Sequence, residues 1–412
     1  MEWWRGFSDP QLAKTVEAAL AANADIALAT TRVSEARAQY NFARAQLFPS
    51  LAFAGGGGRQ RDLSPFGTGL TQYAGRGEFS ISYDTDLFGR LSFTRSAARA
   101  ELLSSEASQE SVRLAIASAA ARGYIDLCAL DMRLIVLRQT LDARAASLKV
   151  EERRTHAGYS SQLELAQAQA EYESTAQQIP SIELAISREE DGLRVLLGQA
   201  PGPIARSSNL DNIVEPVVPA AVPSALLRQR PDIVAAEAEV VAGERSLDAS
   251  RAAFMPQIQL TAAGGYVGGE ALPHNPVSVF SAGASILAPV LEFGRLRAQE
   301  DVAVARRDRA AFAYQKAALG AFSEVEDSLA AVNRLREQEE ALKRQRASIA
   351  HALSLATNRY RAGYSPYLEQ LDAQRGLLSA DLALVGIRAE RLNAAVTLYQ
   401  ALGGGWQAPT IK

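Results

Sequence analysis

The sequence predicts a mixed α and β chain in which long antiparallel helices carry two pairs of β-strands, with the whole pattern duplicated. Three observations predict it. The turn Ala-Gly-Tyr-Ser occurs twice, at Ala157–Ser160 and Ala362–Ser365, with its glycines 205 residues apart. No proline falls between Pro65 and Pro180 or between Pro289 and Pro366, which leaves two windows open to very long helices. Between the helical stretches lie segments where polar and apolar residues alternate with period two.

The duplication extends beyond the turns. RAQLFPSLAF (Arg44–Phe53) matches RAAFMPQIQL (Arg251–Leu260), and DLFGRL (Asp86–Leu91) matches LEFGRL (Leu291–Leu296). ADIALA (Ala24–Ala29) resembles PDIVAA (Pro231–Ala236), and LLGQAPG (Leu196–Gly202) resembles ALGGGW (Ala401–Trp406). The order is preserved and the offset stays between 205 and 207 residues, so the chain is read as two structural repeats, residues 1–210 and 211–412. Each runs helix, two strands, long helix, tip turn, helix. The Pro-rich stretch Pro201–Pro223 joins them as an irregular connection.

Gly89-Arg90 and Gly294-Arg295 are expected to open the long helices, and the Gly-Tyr-Ser turns to close them. In the first, Leu127, Leu134, Leu141 and Leu148 step by seven with Leu130 and Leu137 between. In the second, Leu335, Leu342, Ile349 and Ala356 do the same. That is a coiled-coil seam. From Arg90 to the turn, one helix would run about 100 Å at 1.5 Å per residue. The returning helix is expected over Gln162–Leu197. Hairpins of this length exceed any single globular core, so they need neighbours from other chains.

The strands are expected within residues 49–88 and 256–289, as candidates of about 9–11 residues, the span of a tilted transmembrane strand. In Gly77–Leu87, Phe79, Ile81, Tyr83 and Leu87 face one way and Glu78, Ser80, Ser82, Asp84 and Asp86 the other, with only Thr85 breaking the pattern. Gln257–Ala262 and Phe280–Ile286 alternate likewise, and Leu51 and Phe53 more weakly. Apolar-out and polar-in is what a water-filled barrel in lipid requires, and lipid admits no open sheet edge. Four strands close no pore; three chains would supply twelve. The competing reading is a soluble coiled-coil scaffold whose hairpins pair with partner proteins, the strand faces then being buried in protein.

Composition excludes several classes. The formal charge of −3 gives no sign of nucleic-acid binding. One cysteine, Cys128, permits neither an internal disulfide nor a thiolate metal site and reads as a buried structural thiol. No run of about 18 apolar residues marks a transmembrane helix. The opening Met1-Glu2-Trp3-Trp4 reads as a truncated start, with no secretory signal. His156, His274 and His351 lack metal spacing, and Gly158–Gln162 is no G-x-S-x-G elbow. Glu151-Glu152 and Glu189-Glu190-Asp191 read as solvated helix faces. Nothing supports an enzyme, a cofactor or a metal site.

WWRGFSDPQL (Trp3–Leu12), RAQLFPSL (Arg44–Leu51), DLFGRL, RYRAGYSPYLEQLDAQ (Arg359–Gln374) and LYQALGGGW (Leu398–Trp406), in this order and duplication, resemble the TolC-like outer-membrane efflux channel family, nearest its NodT-type lipoprotein subgroup. The resemblance implies a trimeric conduit in the outer membrane of a Gram-negative bacterium. Each chain would give four strands to a twelve-stranded barrel and long helices to a helical barrel in the periplasm. Leu193–Arg228 and both chain ends would form an equatorial collar. The implied partners are two further copies, a periplasmic adaptor protein, an inner-membrane transporter and outer-membrane lipid. Members of the subgroup usually carry a lipidated N-terminal cysteine, which this sequence does not show; Cys128 sits mid-helix and does not serve.

On that resemblance the two turns are the periplasmic tips, within residues 155–162 and 360–367. Gly158, Tyr159, Ser160, Gly363, Tyr364 and Ser365 would form the adaptor-docking surface. Ser160 and Ser365 are expected to cap the following helices, with Pro366 at a first helical position. Glu369 and Asp372, three apart on one helix face, match the acidic constriction of the family. Tyr360 and Glu164 fall where relatives hold the gate shut. The basic residue common in the family tip is replaced here by Ser365.

Overall fold

A computed structural model describes residues 2–63, 66, 67, 69–207, 210–216, 230–270, 272 and 274–406. Part of the expected collar, residues 208, 209 and 217–229 with both chain ends, lies outside the described residues. So do parts of the two strand-connecting loops, at residues 64, 65, 68, 271 and 273.

The elements run α1 (Pro10–Ala22), α2 (Ala24–Ala45), β1 (Ser50–Leu63), β2 (Gly69–Asp84), α3 (Arg90–His156), α4 (Gln162–Ala176), α5 (Gln178–Leu196), α6 (Pro231–Ala252), β3 (Gln257–Gly269), β4 (Val277–Leu287), α7 (Arg295–Arg361) and α8 (Tyr367–Ala401). The chain forms two compact units. One comprises residues 1–30, 108–234 and 317–412, and the other 31–107 and 235–316. Their boundaries fall inside α2, α3, α6 and α7, so they cut across the two halves of the sequence.

The first unit is helical. Asp9 opens α1 by accepting from Gln11 N at 2.7 Å and Leu12 N at 3.1 Å, with Pro10 at the position where no N–H is needed. Asn23 closes α1, and its Oδ1 accepts from Asp25 N and Ile26 N to open α2. The core joins Phe7, Leu12 and Val16 to Tyr124 and Ile125 of α3 and to Leu392 and Val396 of α8. Ala117, Ala120 and Ala121 let these helices approach closely. Cys128 is buried there and burial pushes its thiol up to about 12, so it stays a neutral thiol. A second cluster gathers Leu127, Ile186, Leu193 and Leu197, with Leu130 and Leu134 packed against it, so the first three leucines of the α3 series share one packed seam.

The returning helix is not continuous. It breaks at Gln177 into α4 and α5, because Pro180 supplies no N–H to the carbonyl of Ala176.

The second unit holds a four-stranded antiparallel sheet in the order β1-β2-β3-β4. Pairing runs without a bulge from Ser50↔Ser82 to Leu63↔Gly69, from Asp84↔Gln259 to Ala74↔Gly269, and from Gln257↔Leu287 to Val267↔Val277. Unbroken register preserves the two faces along the whole sheet. Leu51, Ile81, Phe53 and Phe79 share one face and are exposed, while the other carries Ser80, Ser82, Gln259 and Thr261. On that polar face Gln259 Nε2 donates to Ser82 Oγ at 2.8 Å. The strands hold 14, 16, 13 and 11 residues, and all but β4 exceed the expected 9–11, because β1, β2 and β3 continue past the apolar stretch into their hairpin ends.

The strand-to-helix corner explains DLFGRL. Asp86 adopts a left-handed φ of 48°, and its carboxylate accepts from Leu91 N at 2.7 Å, Ser92 N at 2.8 Å and Ser92 Oγ at 2.6 Å. An anion at a helix start is doubly favoured, by orphan N–H groups and by the helix dipole. In the copy, Leu291 stands where Asp86 does, and Glu292 pairs instead with Arg295 at 2.7 Å.

Candidate functional site

The two Gly-Tyr-Ser turns share one geometry. At the end of α3, Gly158 N donates to Thr155 O at 3.0 Å and Tyr159 N to Arg154 O at 2.8 Å. At the end of α7, Gly363 N donates to Tyr360 O at 3.0 Å and Tyr364 N to Arg359 O at 2.9 Å. This is the Schellman closure, which needs a left-handed residue at the glycine; φ is +75° and +77°. Tyr159 and Tyr364, at matched positions, are 80% and 81% exposed. The local hydrogen bonds therefore hold two bare aromatic rings at the ends of two hairpins.

The helix starts differ from expectation. Ser161, not Ser160, caps α4: its Oγ accepts from Glu164 N at 3.2 Å, and Ser161 N donates to Glu164 Oε2 at 3.0 Å, a reciprocal capping box. Pro366 is itself the residue before α8 rather than its first helical residue, and it supplies no side-chain cap. Ser365 Oγ is buried without a hydrogen-bond partner.

Ser160 serves another purpose. Its Oγ contacts two carboxylates, Glu151 Oε2 at 2.9 Å and Glu164 Oε2 at 2.6 Å. Glu151 in turn accepts from Tyr360 Oη at 2.7 Å. The structure thus joins Tyr360 of the second hairpin to Glu151 of the first, and Glu164 is linked to Tyr360 through Ser160 and Glu151. Glu151 is 1% exposed, which corrects its reading as part of a solvated face. Arg154 lies over the Tyr360 ring at 4.7 Å, and Tyr360 packs against Tyr367, Ala168 and Leu371. Burial first, and then the bond to Glu151, raise the Tyr360 phenol well above its usual range, so it acts as a neutral donor.

Glu164 is held below the usual carboxylate range, first by the Ser160 hydroxyl and then by Ser161 N. A depressed folded pKa gives stability that is present above the ordinary value of 4.5 and lost as pH falls through the folded one. The tip is therefore expected to loosen on acidification below that window. Glu164→Gln, which keeps a capping-box side chain, should flatten that dependence in an amide-exchange titration of Ser160–Leu165. An unchanged profile would remove Glu164 as its source.

Glu369 and Asp372 are both exposed on the first turns of α8. Arg359 approaches Glu369 at 3.8 Å, and Arg375 approaches Asp372 at 3.6 Å. Arg375 also reaches the first hairpin, where its Nε donates to Glu171 Oε1 at 2.7 Å. Behind Glu171 stands Arg144, 5% exposed, whose Nη1 lies 2.9 Å from Glu171 Oε2 and 2.7 Å from Glu171 O and also donates to Thr175 Oγ1. Burial lowers the Arg144 pKa and Glu171 opposes it. A chain of alternating charge thus runs from buried Arg144 through Glu171 and Arg375 to Asp372. Sequence reading missed Arg144, Glu171 and Arg375, since no motif links residues 27 and 204 positions apart. Glu190, also read as solvated, instead pairs with Arg206, which binds Asp131 as well.

A sheet with an exposed apolar face and two open edges, joined in sequence to very long helices that end in paired turns, is the form of a channel-type protein whose sheet meets lipid. The outer membrane efflux protein family model matches residues 15–199 and again 222–404, and the chain belongs to that family. It is 34% identical over 421 residues to the probable efflux pump outer membrane protein TtgC of Pseudomonas putida KT2440, covering 99% of this chain and 86% of that protein. It is 32% identical to the pyoverdine export outer membrane protein OpmQ of Pseudomonas aeruginosa PAO1, covering 99% and 88%. The solved open state of the Neisseria gonorrhoeae MtrE outer membrane channel superposes with a TM-score of 0.87 at 29% identity, covering 98% of this chain and 91% of that one. No described helix is long and apolar enough to cross a membrane. The protein is the outer-membrane component of an efflux or export system, with its helical part in the periplasm.

Proposed function

We propose that three copies of this chain close a twelve-stranded barrel and a helical duct, and that the duct is a passive conduit gated at its periplasmic tip. The observation that carries this is the sheet: four strands in unbroken register, an apolar outward face, and free edges at β1 and β4. Lipid tolerates no unpaired edge, so β1 of one copy must pair with β4 of the next. Three copies give twelve strands and six tips. The exposed rings of Tyr159 and Tyr364, with the glycine turns behind them, suit docking to a periplasmic adaptor, and through it to an inner-membrane transporter that supplies the energy. Each repeat, residues 1–210 and 211–412, would contribute one strand pair and one tip. No step of this role is catalytic.

Glu369 and Asp372 would form two acidic rings where the tips converge. Rings of like charge favour cations and resist closure. Tyr360–Glu151 and Arg375–Glu171 tie the two hairpins of one chain together against that repulsion. In planar bilayers the wild-type protein is expected to pass a small, cation-selective current. Glu369→Ala with Asp372→Ala should abolish most of the cation preference. A double variant with unchanged selectivity would place the constriction elsewhere.

A further inference from the structure

The outward face of the sheet carries a charge pattern that a pore does not require. With the register unbroken, outward residues form rows across the strands. From the row of Tyr83 and Leu260 through that of Leu51 and Ile81 to that of Gly57 and Gly75, no outward residue is charged. The next row holds Arg59 opposite Tyr73, and the one after holds Arg61 opposite Thr71. Both arginines are exposed, and the Arg59 guanidinium lies 5.5 Å from the centre of the Tyr73 ring.

The height of these rows identifies what they meet. Tyr83 and Tyr73 are ten residues apart on one strand. At about 3.4 Å per residue and a tilt of about 40°, that is a rise of about 26 Å, against an apolar band about 25 Å tall with aromatic girdles at both rims. The apolar face runs on past the Tyr83 row to Ile258 and exposed Ile286, so the rim nearer the helices lies no farther out than Tyr83; Tyr73 falls at or beyond the other rim, with Arg59 and Arg61 beside it and just past it. A charge on the lipid face is tolerated there and costly deeper. Since the helices are periplasmic, this rim is the outer leaflet.

We propose that Arg59 and Arg61 form a docking surface for the phosphate groups of an outer-leaflet glycolipid. The inference rests on the barrel reading above. A planar guanidinium matches a phosphate with two parallel hydrogen bonds. Stacking on Tyr73 leaves the Arg59 donors free at its edge. Among the described residues, the row's carboxylate is that of Glu270, whose N–H donates to Tyr73 O at 3.2 Å, and none of the ion pairs there joins it to either arginine. Its charge opposes the phosphate and sets a sign that can be tested.

Native mass spectrometry of the detergent-solubilised protein, titrated with diphosphoryl lipid A or its phosphate-free counterpart, tests the site. The wild-type trimer should prefer the phosphorylated lipid by about thirtyfold, the effect of two basic residues at an anionic surface. Arg59→Gln with Arg61→Gln should remove most of that preference without changing the trimer mass, and Glu270→Gln should strengthen it. A trimer whose double variant keeps the full preference overturns the phosphate contact and leaves the barrel standing. A protein that is monodisperse without detergent overturns the barrel and the lipid site with it.

Discussion

Glu171→Ala is expected to destabilise the hairpins near their tip turns by about 3–5 kcal/mol, the cost of leaving a buried charge without its partner. Arg144 is 5% exposed and keeps only Thr175 Oγ1 and the Glu171 carbonyl once the carboxylate is gone. Arg375 loses its tie to the first hairpin in the same step. The loss should appear as faster amide exchange in α4 and around Tyr367–Arg375, with the sheet unaffected. Arg144→Met combined with Glu171→Met replaces the pair by apolar chains and should cost far less than the sum of the single changes. Equal protection in Glu171→Ala and wild type would mean that water already reaches Arg144.

Phe79→Lys is expected to be the most damaging single change in the sheet. Phe79 pairs with Phe53 on the outward face, four residues from the Tyr83 row and six from Tyr73. That places it near the middle of the apolar band, where a lysine costs about 2–4 kcal/mol per chain. Ser80→Lys, one residue along and facing the polar side, should be tolerated. The two variants place the same lysine one position apart on opposite faces, and Phe79→Ala, which removes the ring pair without adding charge, separates the cost of the charge from that of the lost ring. Yields of folded protein in the outer membrane should fall sharply for Phe79→Lys and little for Ser80→Lys. Equal yields would remove lipid from the apolar face.

What the sequence made legible were features with a period or a turn. Period-two alternation located β2 and β3, the absence of proline located α3 and α7, and glycine marked both tips because only a left-handed residue closes the helix that way. The length of β1 is not legible because Gly55–Gly58 carries no alternation, although the backbone pairs straight through it. The proposed gate is legible in the sequence only as isolated residues. Tyr360 was singled out, but its partner Glu151 lies 209 positions away and looks from its neighbours like any acidic helix residue. Arg375 and Glu171 meet only because two hairpins pack side by side, and one-dimensional spacing holds no trace of that. Ser160 and Ser161 are hard to tell apart as caps for a local reason: both are serines, and the position of Glu164 three residues after Ser161 decides which one closes the box.

Lipid contact at the apolar sheet face and closure of its edges by further copies stand or fall on one measurement. Light scattering with and without detergent reads both at once. A detergent-dependent particle of three times 44.1 kDa is the predicted result. A monodisperse monomer or dimer in plain buffer would contradict it, and the long hairpins would then belong to a soluble scaffold.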